Sequence, residues 1–139
     1  MADLSTLLEA AVYNLAVANS TLWNSVNGRM KHGRPAPGWS FPYILYSFPG
    51  LPQANVFKAS SPVVASISIY FDVFSDNDFY AAEAGLIASY LKAVFDGASL
   101  TMTGYQGTVI DRVSDNPTQE DDTGLWHAQL GYQGMACVS

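Results

Sequence analysis

The sequence predicts an α+β fold: an antiparallel sheet of about four to five strands, with two main helices packed on one face. Three observations carry this expectation. Apolar residues recur at helical spacing near the N-terminus and again over 79–95. Residues 64–74 alternate between apolar and polar positions. After residue 98 come three strand-like segments separated by glycine-rich and acidic turns.

The first helix is expected over 4–18, where Leu4, Leu7, Leu8, Ala11, Val12, Leu15 and Ala18 share a face. Thr6 followed by Glu9 resembles a capping box, and Asp3 offers an earlier cap. A loop-rich zone, NGRMKHGRPAPGWS (27–40), holds Arg29, Lys31 and Arg34 together with His32. A strand follows at 41–48, with Pro42 near its start, where a missing N–H is tolerated. Residues 48–62 form a second loop zone with three prolines. In the segment 64–74, Ile67, Ile69, Phe71 and Val73 point one way, and Ser66, Ser68, Tyr70 and Asp72 the other.

The stretch SDND then reads as punctuation. Ser75 is the expected N-cap, Asp76, Asn77 and Asp78 fill the first turn, and Phe74 and Phe79 form a hydrophobic staple. The second helix runs to about Phe95 and carries Phe79, Ala82, Leu86 and Tyr90 beside Ile87, Leu91 and Val94, with Gly97 as its stop. SLTMTG, GTVIDRVS and LWHAQLGYQGMAC read as the last strands, with GYQG (104–107) as a turn and SDNPTQEDDTG (114–124) as an acidic loop. In the final strand Trp126, Ala128, Leu130 and Tyr132 share a face.

Composition narrows the function. At 139 residues the chain is expected to form one domain with its own core. Only 13% of residues are charged while 49% are hydrophobic, against a usual charged share of about 25%. Neutral surface buried against other chains is one reading of that deficit. A net charge of −6 argues against wrapping a nucleic-acid backbone or binding an anionic membrane. Cys137 is the only cysteine, so no intrachain disulfide forms, as in a reducing cytosol. The N-terminal stretch carries Asp3 and Glu9 where a signal peptide would carry Lys or Arg.

Candidate chemistry is sparse. Counting twelve residues from Asp72 puts Asp76, Asp78 and Glu83 at positions 5, 7 and 12 of a calcium loop. Position 3 is then Phe74, which cannot ligate, and position 6 is Asn77 rather than glycine, so capping explains the acids better. His32 and His127 are the only histidines. His127 is expected to face solvent or a partner and His32 to sit in a loop. No signature of a nucleophile surrounds Cys137, and a Cys–His pair is the weaker reading. Glu120, Asp121 and Asp122 read first as a solvated turn and second as a cation site. No phosphate loop, nucleophile elbow or paired zinc spacing occurs, so no cofactor or metal is expected.

Taken together, LWNSVNGRMKHGRPAPGWSFPYILYSF, the strand-to-helix passage ASISIYFDVFSDND–FYAAEAGLIASYLKAVFDG, LTMTGYQGTVIDRVSD and the closing GLWHAQLGYQGMA resemble, in order and spacing, the tail terminator (tail completion) proteins of long-tailed bacteriophages. The loop at 49–62 is longer and richer in proline than the family pattern, and the charge content is lower. The resemblance implies a virion structural protein rather than an enzyme. It implies a homo-oligomeric, usually hexameric, ring on the head-proximal end of the tail tube, assembled in the host cytoplasm. Its partners would be the tail tube protein and a head connector or neck protein. DNA would pass through without specific binding. On this reading Trp39, Tyr43 and Trp126 are interface candidates. Asp72, Glu120, Asp121 and Asp122 are candidates for an acidic lumen that repels DNA. Other readings are a neighbouring neck or tail-tube protein, a small α+β ligand-binding module, or an enzyme using His32 or His127.

Overall fold

The alternation in 64–74 becomes the centre of the sheet. In the computed structural model, which describes residues 4–50, 64–76, 81–106, 108–120 and 125–137 (backbone only for 64, 81 and 117–120), strand β3 spans Val64–Ser75. Its Ile67, Ile69, Phe71 and Val73 are buried, while Ser66 and Tyr70 are exposed and Ser68 and Asp72 half-buried. Both faces match expectation.

Around it lie α1 (Leu4–Ala18), α2 (Ser20–Ser25), β1 (Met30–His32), β2 (Tyr43–Ser47), α3 (Ala81–Phe95), β4 (Ser99–Leu100), β5 (Thr108–Glu120) and β6 (Trp126–Cys137). The sheet has six strands in the order β1-β2-β3-β6-β5-β4. All neighbours are antiparallel except β1 and β2, which run parallel. The fold is therefore α+β as expected, but with six strands and three helices among the described residues, and the sheet is mixed.

The additions are short elements. β1 has three residues, too few to show alternation, and it lies within the stretch expected to be loop. α2 has six residues and starts at an Asn19 cap, whose side chain accepts from the Leu22 N–H at 2.9 Å. Its Leu22 is fully buried, so tertiary packing rather than periodicity holds this turn.

Three boundaries also differ. α1 already begins at Leu4, so Thr6 lies within its first turn and does not cap it; Asp3 lies outside the described residues. Ser75 ends β3 instead of capping α3, and its hydroxyl donates to Glu83 Oε1 at 3.1 Å. Phe74 is taken up by aromatic neighbours on β2 and β6, and Phe79 lies outside the described residues. β5 continues through the expected acidic loop to Glu120, with register shifts between Arg112 and Ser114 and between Asn116 and Gln119. Pro117, which lacks a ladder donor, falls in the second of these irregularities.

The helices cover one face of the sheet. α3 buries Ala84, Ile87, Ala88, Leu91 and Phe95, while Leu86 points outward at 53% exposure, off the expected apolar stripe. Gly97 ends the helix as expected, at φ +67°, a conformation that favours glycine. α1 buries Leu4, Leu8, Ala11, Val12 and Ala16. It borders both ends of the sheet: Glu9 lies 3.5 Å from His32 on β1, and Ala11 and Leu15 line a small depression with Ser99 and Thr101 beside β4. A sheet whose two ends meet the same helix must curl around its core.

At the centre of that core, Phe71 packs against Phe95 (centroids 4.6 Å apart), Tyr132 (5.7 Å) and Tyr46 (6.1 Å). The Tyr132 hydroxyl donates to Asp96 Oδ1 at 2.7 Å. Asp96 also meets Arg112 at 3.6 Å, and Asp115 meets Arg112 at 3.1 Å and Lys92 at 2.6 Å. This chain of ion pairs ties α3 to β5; each pair is half-exposed and therefore weak alone.

Two core tyrosines make the fold sensitive to alkali. Burial pushes the Tyr46 hydroxyl up from its usual 10.0 to about 12, and the Glu9 carboxylate and Tyr13 add to this. Burial raises Tyr132 as well, helped by its bond to Asp96. The folded state thus holds these protons more tightly than the unfolded chain does. Their contribution to stability is complete below pH 10 and is lost as pH rises from 10 towards 12. The urea midpoint is expected to fall over that window, and to fall less steeply in Tyr46→Phe. An equal fall in both proteins would show that Tyr46 is not a source of the sensitivity.

Candidate functional site

Among the described residues no helix covers the second face of the sheet, and it carries a row of aromatic and a row of polar side chains. Cross-strand register sets its rows. Tyr43 lies opposite Phe74, Phe74 opposite His127, and His127 opposite Gln119. One step along, Leu45, Asp72, Gln129 and Asn116 form the next row.

The first row is an aromatic strip. Trp39 and Phe41, in the loop after β1, lie 6.0 Å and 5.1 Å from Tyr43. Tyr43 lies 5.3 Å from Phe74, and the His127 ring stacks on Phe74 at 4.6 Å and 10°. All five side chains are half-buried. Arg29 holds the loop in place by donating to the carbonyls of Pro42 (3.1 Å) and Phe41 (3.3 Å), across a cis Phe41–Pro42 peptide. Burial raises the Tyr43 hydroxyl pKa.

The second row is a hydrogen-bonded chain. The Asn116 amide donates to Gln129 Oε1 at 3.0 Å, and the Gln129 amide donates to Asp72 Oδ1, also at 3.0 Å. Asp72 Oδ1 further receives His127 Nε2 at 2.7 Å, since an ionised carboxylate only accepts. Asp72 has a side chain only 21% exposed, with its charge directed into this network.

The interface candidates are thus divided. Trp39 and Tyr43 share the aromatic strip, joined by Phe41, Phe74 and His127, which sequence reading did not place there. Trp126 lies opposite Ser75 on the covered face and packs against the core. Of the acidic candidates, Asp72 is on the open face. Glu120 is placed by its backbone alone, opposite Trp126, and Asp121 and Asp122 lie outside the described residues.

The arrangement offers little for catalysis. His32 is not in a loop but on β1, stacked on Tyr46 (5.7 Å) and tilted against Phe48 (4.7 Å) on the covered face, so the two histidines lie on opposite sides of the sheet. Cys137 is ten positions along the same strand from His127, roughly 33 Å away at strand rise, and two strands separate β6 from β1. No Cys–His pair forms. Among the described residues no group of three or more His, Cys, Asp or Glu side chains clusters as metal ligands, and no helix is long and apolar enough to cross a membrane.

The open face continues past Tyr70, whose ring lies over Gly131, to a shallow apolar depression. Val109, Val113 and Met135 line it at 53%, 54% and 54% exposure, beside Asp111 and Gln133.

No protein-family model matches the chain, and no curated protein does. Solved structures do match. One is a chain from the virion of a native gene transfer agent particle, at TM-score 0.74 and 18% identity, covering 96% of each chain. Another solved chain matches at TM-score 0.63 and 12% identity, covering 97% of this chain and 93% of its own length. At such identities the likeness shows the fold: the whole described architecture is one that a gene transfer agent virion also contains.

Proposed function

We propose that this chain is a virion structural protein, not an enzyme, that closes the head-proximal end of a finished phage-like tail tube as a ring. In that position it stops tube polymerisation and presents a surface for the head connector. One observation carries the reading: a fold likeness spanning 96% of both chains to a component of a gene transfer agent virion. It supports the coarser part of the tail-terminator resemblance of the sequence, a structural protein of a phage-like virion. The half-buried strip of Trp39, Tyr43 and Phe74 suits a contact with a tube or connector subunit, because aromatic groups concentrate in interfaces. An acidic lumen built from Glu120, Asp121 and Asp122 would repel passing DNA. Asp72 contributes less to it, being bonded to His127 and Gln129.

The test is tube length. Tail tube subunits polymerised without this protein are expected to give tubes of unlimited length by electron microscopy. With it added, tubes should be capped at one end by a ring-shaped density. Co-polymerisation along the whole tube would identify a tube subunit instead, and failure to bind tube ends would remove the terminator reading.

A further inference from the structure

The ring reading leaves open which surfaces join neighbouring subunits, and the distribution of unneutralised charge bears on this. Most charges of the described side chains are met within the chain. Glu9 faces His32, Asp72 faces His127, Asp96 and Asp115 face Arg112 and Lys92, Glu83 receives Ser75, and Arg29 is spent on loop carbonyls. Four exposed exceptions remain: Asp76 follows the interior strand β3, and the other three lie at the sheet's margins. Lys31 sits on β1 and Arg34 in the loop just after it, at one edge, with no ion pair among the described residues. Asp111, likewise unpaired, sits on β5 at the other edge. The sequence shows the same bias: 27–40 contains three cations and no acid.

The β5 edge is also uncovered. β4 pairs with β5 only at Thr108 and Val109, so from Asp111 onward β5 has β6 on one side and no described strand on the other. Long free edges invite another strand. Beside this edge lie exposed Val109, Val113 and Met135. Beside the β1 edge lies the apolar loop of Pro35, Ala36 and Pro37. Each margin thus pairs one sign of charge with apolar surface, and the signs are opposite.

We propose that copies of this chain join head to tail, the basic β1 margin of one against the acidic, uncovered β5 edge of the next. Lys31 and Arg34 face Asp111, and the proline loop covers Val109, Val113 and Met135. Two different patches in contact make a heterologous interface, which closes into a ring or runs on as a filament. The proposal rests on the ring reading for its geometry, but its test separates the two.

Two variants are compared with the wild type by native mass across a concentration series: Lys31→Glu with Arg34→Glu, and Asp111→Lys with Val113→Lys. All four positions are exposed, and far-UV circular dichroism checks folding. Wild type is expected to form closed rings. Each variant alone sets like charges against each other, and its half-assembly concentration should rise at least about tenfold. Mixed in equal amounts, the variants should assemble again in alternation, since each reversed margin then meets its complement. If both variants assemble like wild type, the edge contact is overturned while the ring stands. If wild type forms open polymers that each variant abolishes and the mixture restores, the edge contact stands and the ring fails. A wild type that stays monomeric at every concentration overturns both.

Discussion

Phe71→Ala is expected to destabilise the protein by about 3–5 kcal/mol, the usual range for removing a large buried aromatic. Phe71 is fully buried on a central strand, and its ring touches Phe95 of α3, Tyr132 of β6 and Tyr46 of β2. It therefore joins the helix layer to three strands at once. The cavity left behind is ringed by large side chains on three separate elements, so it cannot collapse by moving one of them. Against a typical total of about 5–15 kcal/mol, the loss threatens folding itself. The measurement is the urea midpoint at unchanged slope. Phe74→Ala is the control. It removes the same side chain three positions away, but from the half-exposed open face, and should cost only about 1 kcal/mol. Equal costs for the two would mean that the core is not centred where the packing places it.

The contrast between Phe71 and Phe74 also marks what the sequence could tell. Strict alternation put Ile67, Ile69, Phe71 and Val73 on one face, and that face is buried. The same alternation carried one step further would have put Phe74 outward with Asp72. The acidic run after it suggested a helix cap instead, and local capping logic displaced the strand pattern. β3 in fact extends through Ser75 because β6 pairs with it to the end. Similarly, SDNPTQE read as a loop by composition, yet β6 supplies partners as far as Glu120. Turn propensity is a local signal, and a long partner strand overrides it. β1 was invisible for the opposite reason: three residues carry no period, and only β2 running beside them makes them a strand.

The candidate site was half legible. That Trp39 and Tyr43 lie close follows from the constrained loop that leads from Trp39 into Tyr43 at the start of β2. Their meeting with Phe74 and His127 depends on the register of three strands that are far apart in sequence. His127, expected to face solvent or a partner, does lie on the face away from the helices, bonded to Asp72 fifty-five positions earlier. Trp126, one residue away, turns to the core. Alternation separates such neighbours; it does not say which of them meets what.

Gly134→Ala is the second large effect, expected to cost roughly 3 kcal/mol, at the upper end for overpacking. A methyl group at Gly134 would lie 2.7 Å from the Val109 carbonyl oxygen and 3.0 Å from Ile110 Cγ2. The first of these belongs to the backbone of β5, which has no rotamer by which to yield. Relief requires β5 to move off β6 at the Ile110–Gly134 pair, next to where β4 ceases to cover it. Gly131→Ala is the informative comparison. Its methyl group meets the Ser114 hydroxyl and the edge of the Tyr70 ring at 2.9 Å, both of them side-chain atoms, and Tyr70 is 37% exposed. Those groups can swing aside, so Gly131→Ala should cost only about 1 kcal/mol. Assembly should separate the two further, because a displaced β5 moves Asp111 and Val113, whereas a rotated Tyr70 leaves that edge in place. Thermal melts and native mass on both variants check this. If Gly134→Ala proves no costlier than Gly131→Ala, close backbone approach is not what requires glycine at 134, and the proposed β5 contact loses the rigid edge on which it depends.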